Sequence, residues 1–205
     1  MPRERKTVVS DVAIGDRVIP VAAAMFRRLG YARTSTRELA TRLGIQSGSL
    51  YHYINGKDDL LYQICSSALT HIEEAVRKAT AAAPVERKLE VVIKRHLISA
   101  LTDSDSHATM LVELKALSAE RKAAVIRQRD QYEELIRTII EESQAAGVVR
   151  ADIEAKYLTL GLLNLLNWSI FWFDPDGPLT EDELARVLAA VFLDGARGGG
   201  ARASG

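Results

Sequence analysis

Hydrophobic residues recur along the chain at intervals of three and four positions, which is the spacing of one face of an α-helix. Alternating runs bounded by turn residues, the sign of a half-buried β-strand, are too short to be convincing. The pattern therefore predicts an all-α protein with about nine helices.

Capping and stop signals set the predicted helix boundaries. Ser35 with Glu38, and Thr180 with Glu183, have the spacing of capping boxes, and Ser118 is a candidate N-cap. Pro20 lies inside the first pattern, where proline either begins or kinks a helix. The predicted helices span about residues 16–29, 35–43, 47–55, 57–83, 85–101, 107–117, 119–146, 152–173 and 180–197, with residues 103–106 as a polar loop.

Charge is distributed unevenly between the two ends of the chain. The chain has 27 basic and 27 acidic residues, so its formal net charge is zero. Residues 1–57 contain ten basic and four acidic residues, a net charge of +6, which leaves −6 for residues 58–205. This asymmetry is expected when only the N-terminal end binds a polyanion such as DNA.

Residues 35–55 have the pattern of a helix-turn-helix, two short helices separated by a turn that contains Gly44. The second helix of this motif lies in the major groove of DNA. Its spacing places Leu50 and Ile54 on the inward face and leaves Ser47, Gly48, Ser49, His52 and Tyr53 facing outward. A surface helix with turn-like residues and no DNA contact is the alternative.

Residues 16–61 carry closely spaced motifs: residues 22–26 (AAAMF), Gly30-Tyr31, Thr34-Ser35-Thr36, Gly48-Ser49-Leu50-Tyr51 and Lys57-Asp58-Asp59-Leu60. In this order they resemble the N-terminal DNA-binding domain of the TetR family of bacterial transcriptional repressors. The resemblance implies that Thr36, Tyr51, Tyr53 and Lys57 contact phosphates, and that Arg37, Gln46, Ser47, Gly48, Ser49 and His52 lie against bases. Tyr51 has a second possible role, packing the turn.

Gln46 departs from the family pattern, which commonly has Ser or Thr as the cap of the recognition helix. An unreplaced cap weakens a helix by roughly 0.5–2 kcal/mol. The Gln46 side-chain amide is in turn suited to hydrogen-bond with the major-groove edge of an adenine.

Two C-terminal helices predict a dimer. Residues 152–173 are apolar nearly all round, with Leu158, Leu162, Leu165 and Trp172 on one side, so this helix is expected to be covered on both sides. The last helix is expected to present Leu184, Val187, Leu188 and Val191 on one face. The resemblance implies that the last two helices pair with those of a second subunit as a four-helix bundle.

The segment from Trp168 to Thr180 resembles a TetR subgroup that regulates lipid, fatty-acid or sterol breakdown and responds to acyl-CoA thioesters. The expected inducer is therefore a small amphipathic metabolite such as an acyl-CoA, with no cofactor. The alternative is an efflux-pump regulator that senses hydrophobic xenobiotics. Candidate ligand-binding residues are Met110, Leu114, Leu117, Tyr132, Leu135, Leu163, Asn164, Asn167, Trp168 and Phe171, of which the aliphatic ones have ordinary core packing as a competing role.

These expectations divide the chain into a helix-turn-helix domain with an N-terminal arm (residues 1–57), a ligand-binding and dimerisation domain (58–197) and a disordered tail (198–205). An enzyme is the less favoured interpretation, since His71 and Glu74 form only half of a carboxylate-histidine metal motif and Cys65 suits a buried apolar role. A plain helical interaction module leaves the +6 charge unexplained. The longest apolar run is too short for a membrane span, and we expect a cytoplasmic protein at the nucleoid.

Overall fold

The computed structural model describes residues 11–196, with side chains described from Ile14 onward. The expected N-terminal arm and C-terminal tail lie outside these residues. The described chain forms nine α-helices and no strand, which confirms the all-α prediction. The helices are α1 (Asp11–Leu29), α2 (Thr36–Leu43), α3 (Ser47–Leu50), α4 (Lys57–Thr80), α5 (Val85–Thr102), α6 (Ser104–Glu113), α7 (Ala119–Ala145), α8 (Ala155–Ser169) and α9 (Glu181–Ala196), with a 3-10 turn at Leu114–Ala116.

Both predicted capping boxes form. The Ser35 hydroxyl accepts from the Glu38 amide at 3.1 Å while the Glu38 carboxylate accepts from the Ser35 amide at 2.8 Å. Thr180 and Glu183 make the same reciprocal pair before α9. These bonds satisfy backbone donors that have no partner within the helix, so local sequence is sufficient to place the start of α2 and α9.

Several boundaries and one cap differ from prediction, and α1 begins at Asp11 rather than at about residue 16. Residues 103–106 are not a loop: Asp103 caps α6 by accepting from the Ser106 amide at 3.4 Å, and Ser104 and Asp105 form its first turn. Helix α8 is shorter at both ends than the predicted 152–173. Ser118 precedes α7 without a side-chain cap, because its hydroxyl instead donates to Asp58 Oδ2 at 2.9 Å.

Two hydrophobic cores hold the helices together. The first joins α1, α2, α3 and the start of α4, and Met110, Leu117 and Val125 extend it into α6 and α7. The second lies among α4, α5, α7, α8 and α9. Complete burial of one large aliphatic or aromatic side chain stabilises a fold by about 1.5–3 kcal/mol, so the shared first core fixes the helix-turn-helix firmly against the rest of the chain. Between residues 11 and 196, no helix is both long and apolar enough to cross a membrane.

Helix α1 also contacts α6 through polar bonds. Arg27 donates to Ser104 Oγ at 2.9 Å and to Asp105 Oδ1 at 3.0 Å. The Thr109 hydroxyl donates to the Ala23 carbonyl oxygen at 3.2 Å. These bonds join α1, which packs against the helix-turn-helix, directly to α6. Helix α6 belongs to the C-terminal body, as we call helices α4 to α9.

Candidate DNA-binding surface and ligand cavity

The helix-turn-helix is built around a tight turn at Gly44, whose φ of 76° lies in the left-handed region that favours glycine. Helix α3 follows with a single turn. Gln46 is its N-cap but makes no side-chain cap hydrogen bond, so the weak cap expected from the sequence agrees with a helix much shorter than the predicted 47–55. Leu50 and Ile54 are buried, as predicted, and anchor this segment to the first core.

The predicted DNA-contacting residues are all at least partly accessible. The exposed members are Arg37, Gln46, Ser47, Gly48, Tyr51 and His52, and the half-buried members are Thr36, Ser49, Tyr53 and Lys57. Thr36 Oγ1 and Tyr51 Oη lie 3.5 Å apart and link α2 to the end of α3. Tyr51 is 57% exposed, so packing of the turn is not its main contact.

Tyr53 points inward rather than outward. It packs against the first core, and a Cβ placed on Gly15 of α1 would lie 3.7 Å from its ring. Tyr53 lies in the turn after α3, where its backbone amide donates to the carbonyl oxygen of the buried Leu50 at 2.9 Å and keeps the residue next to the core. Any DNA contact by Tyr53 must therefore use the edge of a largely packed ring.

Lys57 is held in place at the start of α4. Its ammonium lies 4.2 Å from the centre of the Tyr31 ring and donates to the Ala32 carbonyl oxygen at 3.4 Å. Partial burial lowers the pKa of Lys57, opposed by the nearby Glu113 and Glu38 carboxylates. The cation-π contact and the hydrogen bond restrict the side chain, and the phosphate contact predicted for it stays a prediction.

A second polar cluster ties α4 to α7. Arg121 pairs with Asp58 Oδ2 at 3.2 Å and with Asp59 Oδ1 at 2.9 Å. Hydrogen bonds from Ser118 and the Arg121 charge lower the pKa of Asp58, against an opposing effect of burial. The N-terminus of α4, which follows the recognition helix, is thus fixed to the C-terminal body at neutral pH.

The C-terminal body contains a cavity of about 350 Å³ between α4, α5, α6, α7 and α8. Its most buried lining residues are Leu69, Ile72, His96, His107, Met110 and Tyr132. Its exposed lining residues, which mark the opening, include Val112, Arg129, Trp168 and Phe171. An apolar cavity with a few convergent polar groups is typical of a small-molecule site.

The inner end of this cavity contains a chain of hydrogen bonds. His96 Nδ1 lies 2.8 Å from the Tyr132 hydroxyl, and His96 Nε2 lies 3.2 Å from Asn167 Oδ1. Burial lowers the pKa of His96 to about 4 and that of His107 to about 3, and it raises the pKa of Tyr132. All three side chains are therefore uncharged at neutral pH.

Seven of the ten predicted ligand-binding residues line this cavity: Met110, Tyr132, Leu163, Asn164, Asn167, Trp168 and Phe171. The other three do not. Leu114 and Leu117 pack in the first core, and Leu135 borders a shallow recess on the other side of α7. Leu117 follows the 3-10 turn that ends α6, so a helical spacing carried through residues 107–117 places these side chains wrongly.

His96 and His107 line the cavity but are absent from the ligand-binding residues predicted from the sequence. The available signal was the position of His96 among the apolar residues of α5, next to Val92, Ile93, Leu97 and Ala100.

The described residues contain no cluster of three or more His, Cys, Asp or Glu that could hold a metal ion. Burial raises the pKa of the Cys65 thiol to about 12, so it remains protonated.

The predicted dimer face of α9 divides in two. Leu184 and Leu188 are buried in the second core, whereas Val187 and Val191 are 47% and 60% exposed. Helix α8 likewise buries Leu158, Leu162, Leu166 and neighbouring Ile170 while leaving Tyr157 and Trp168 about 60% exposed. Within one subunit α8 is therefore covered on one side only, and the expectation that a second subunit covers the other side stays a prediction. Both helices thus leave large apolar side chains exposed.

Two family models match the chain. The model of the tetR family of bacterial regulatory proteins matches residues 18–64, and the model of the tetracyclin repressor-like C-terminal domain matches residues 82–196. The first match contains the helix-turn-helix, and the second contains most of the cavity.

Individual proteins that resemble this chain in sequence and fold support the same family. The HTH-type transcriptional repressor KstR2 of Rhodococcus jostii (strain RHA1) is 26% identical over 87% of this chain and 88% of KstR2. The structure of the TetR family regulator PfmR from Thermus thermophilus is 34% identical, with a TM-score of 0.81 over 87% of this chain and 98% of PfmR. AibR, solved with isovaleryl coenzyme A and operator DNA, is 22% identical and has the same fold, with a TM-score of 0.79 over 87% of this chain and 97% of AibR. The chain therefore belongs to the tetR family of bacterial regulatory proteins and is a TetR-type, ligand-responsive transcriptional repressor.

Proposed function

We propose that the protein binds an approximately palindromic operator as a homodimer and is released by a small amphipathic metabolite, an acyl-CoA thioester of lipid or sterol catabolism. The observation that carries this proposal is the cavity itself: it is apolar, open at one side, and lined by α6, the helix that bonds to α1 of the helix-turn-helix. Binding of a ligand in the cavity and the position of the recognition helix α3 can therefore affect each other.

The exposed face of α8 and α9 supports the dimer. Tyr157 of α8 and Val187 and Val191 of α9 are between 47% and 60% exposed. Exposed apolar patches of this kind mark interaction surfaces. A two-fold dimer through this face carries two recognition helices, which suits half-sites about one helical turn apart, near 34–36 Å.

The dimensions of the cavity favour an acyl group inside and coenzyme A outside. A space of about 350 Å³ is at the small end of ligand sites, which run from about 300 to 1,000 Å³, and accommodates a short or medium acyl chain. Arg129 at the opening offers a cation to a phosphate. Two other basic residues near the body are already paired, Lys94 with Asp182 and Arg121 with Asp58.

The α6 helix provides the route from ligand to DNA. His107 and Met110 line the cavity, while Ser104, Asp105 and Thr109 of the same helix bond to α1. A ligand that moves α6 must therefore strain or break bonds to α1. A 100-fold loss of operator affinity requires that the ligand favour the non-binding arrangement by about 2.7 kcal/mol.

The test is a fluorescence-anisotropy titration of the operator complex with acyl-CoAs of increasing chain length. Free coenzyme A, free fatty acids and planar hydrophobic drugs serve as matched comparisons. We expect acyl-CoAs to release the DNA and free coenzyme A to have no effect, because the acyl chain occupies the cavity. Release by the drugs alone would contradict the proposal and would favour an efflux-pump regulator that senses xenobiotics, for which the exposed aromatic residues Trp168 and Phe171 at the opening are the supporting feature.

A further inference from the structure

The side-chain amide oxygen of Asn167 in α8 has a hydrogen-bond partner, whereas its NH2 group has none among the described residues. Its Oδ1 lies 3.2 Å from His96 Nε2. An amide oxygen only accepts, so His96 Nε2 carries the proton and donates. His96 Nδ1 then has a lone pair and accepts from the Tyr132 hydroxyl 2.8 Å away. The Tyr132–His96–Asn167 chain, as we call these three residues, thereby fixes the orientation of the amide.

The Nδ2 group of Asn167 is the end of this chain. Among the described residues no acceptor is found for it, although Asn167 lines the cavity. Asn164, one turn earlier on α8, provides a contrast because its Nδ2 donates to the Leu160 carbonyl oxygen at 2.8 Å. Of the two asparagines that line the cavity, Asn167 is the one whose N–H donors remain available to a ligand.

The surroundings of Asn167 disfavour a charged partner. His96 and His107, whose rings lie 6.4 Å apart, are both uncharged at neutral pH because burial lowers their pKa values. The charged residues that line the cavity are the exposed Arg129 and the half-buried Glu133. A carboxylate placed at the inner end would lose its hydration without gaining a cation, which is costly.

We propose that the Asn167 Nδ2 group donates to an uncharged oxygen carried on the hydrocarbon part of the ligand, a carbonyl of a ketone, ester or thioester, and that the Tyr132–His96–Asn167 chain makes this the specificity-determining contact of the cavity. This inference rests on the proposed ligand-responsive function and adds the chemical class that the cavity selects. Fatty acids with only a carboxylate are predicted to be poor ligands, since they leave the Asn167 donor unpaired or bury a charge.

Binding can be measured on the full chain by tryptophan fluorescence. The chain has two tryptophans, so W172F leaves Trp168, at the opening of the cavity, as the only reporter. The probes are nonan-2-one, S-ethyl octanethioate, nonanoate and butylbenzene, which has no oxygen. We expect both carbonyl probes to bind at least tenfold more tightly than nonanoate at pH 7.5.

Variants then isolate the contact. Asn167→Ala should weaken both carbonyl probes about tenfold and change butylbenzene less than twofold. Asn167→Asp keeps an oxygen to accept from His96 but removes the donor, so it should weaken the carbonyl probes as well. Tyr132→Phe, which breaks the chain at a positioning residue, should lower the preference for carbonyl probes over butylbenzene. Gln131→Ala, which removes a side-chain amide from an exposed position of α7 outside the cavity, is the matched control and should behave as the parent protein.

A measurement on the protein without these substitutions guards against misfolded variants: the side-chain amide resonances of Asn167 should shift when nonan-2-one is added and not when butylbenzene is added. Full carbonyl affinity in Asn167→Ala, equal binding of nonanoate, or no binding of either carbonyl probe would overturn the inference. Operator release is followed in parallel. Release by acyl-CoA that is unchanged in Asn167→Ala rejects this inference alone, whereas Asn167-dependent probe binding without any release by acyl-CoA rejects the proposed function alone.

Discussion

Arg27 and Asp105 join the two halves of the molecule, with Arg27 Nη1 of α1 lying 3.0 Å from Asp105 Oδ1 of α6. The same guanidinium donates through Nη2 to the Ile170 carbonyl oxygen, 3.1 Å away, just after α8. One side chain of the helix-turn-helix therefore contacts both α6 and the end of α8. These two helices line the cavity, so Arg27 is placed to respond to what the cavity holds.

We predict that Arg27→Ala separates ligand binding from DNA release. The pair is about one-third exposed, so its loss should lower the free energy of unfolding by less than about 1 kcal/mol. The difference in operator affinity with and without octanoyl-CoA should shrink several-fold, because α1 loses its bonds to α6 and α8. Thermal unfolding and anisotropy measure the two effects. Arg28→Ala removes the same charge one residue further along α1 and serves as the control, and an undiminished ligand effect in Arg27→Ala would contradict the prediction.

Lys57→Ala should weaken specific and non-specific DNA binding alike. One phosphate contact corresponds to about 0.9 in the slope of log affinity against log salt, and the dimer has two copies of Lys57, so we expect the slope to fall by about 1.8. Lys78→Ala at the far end of α4, about 30 Å away by helical rise, is the matched control. A slope equal to that of the wild type would show that the Lys57 ammonium stays on the Tyr31 ring.

His52 is predicted to read a base, because it is exposed directly after α3. His52→Ala should relax the preference at one base pair of each half-site by roughly 1–3 kcal/mol. Gly48→Leu should abolish binding, since a large side chain at this exposed position would meet the groove. Selection of binding sites from a random duplex pool measures both. If the His52→Ala profile matched the wild type, His52 would not belong to the reading set.

The dimer face can be tested with two substitutions three residues apart. Val191→Asp places a charge on a side chain that is 60% exposed in one subunit and should give a folded monomer in sedimentation experiments. Leu188 is only 5% exposed, so Leu188→Asp should unfold the body instead, as an unpaired buried charge costs several kcal/mol. A Val191→Asp variant that sediments as the wild type would place the interface elsewhere.

Acid should destabilise the protein through its buried histidines. Their pKa values of about 4 and about 3 lie below the ordinary 6.5, so the unfolded chain binds protons that the folded chain does not. The free energy of unfolding therefore has its full value above pH 6.5 and decreases as the pH falls towards 4. At pH 5 the decrease is roughly 2 kcal/mol for each histidine. Chemical unfolding at pH 5 to 7 gives the free energy of unfolding as a function of pH. The slope of this dependence should be smaller by about one proton in His107→Phe than in wild type. The same slope in both would contradict the prediction, and His71→Phe, an exposed residue, is the control.

Features that depend on neighbouring residues could be predicted from the amino-acid sequence alone. The capping boxes at Ser35 and Thr180, the turn at Gly44 and the inward face of Leu50 and Ile54 each follow from residues within one or two helical turns. The capping bonds and the turn form within these segments themselves, and the apolar spacing of Leu50 and Ile54 already indicates which side faces a core. The charge of the N-terminal segment is likewise a property of composition.

Features that depend on residues far apart in the chain became visible only in the folded molecule. Ser118 has the residue type of an N-cap but binds Asp58, because packing of α7 on α4 brings them together. Leu188 and Val191 belong to one predicted stripe, and only the position of α5 against α9 shows that one is buried and the other exposed. His96, Tyr132 and Asn167 come from three helices, and no local pattern relates them. Their contact exists because α5, α7 and α8 pack together and bury the His96 ring, whose two nitrogens then need partners within the protein.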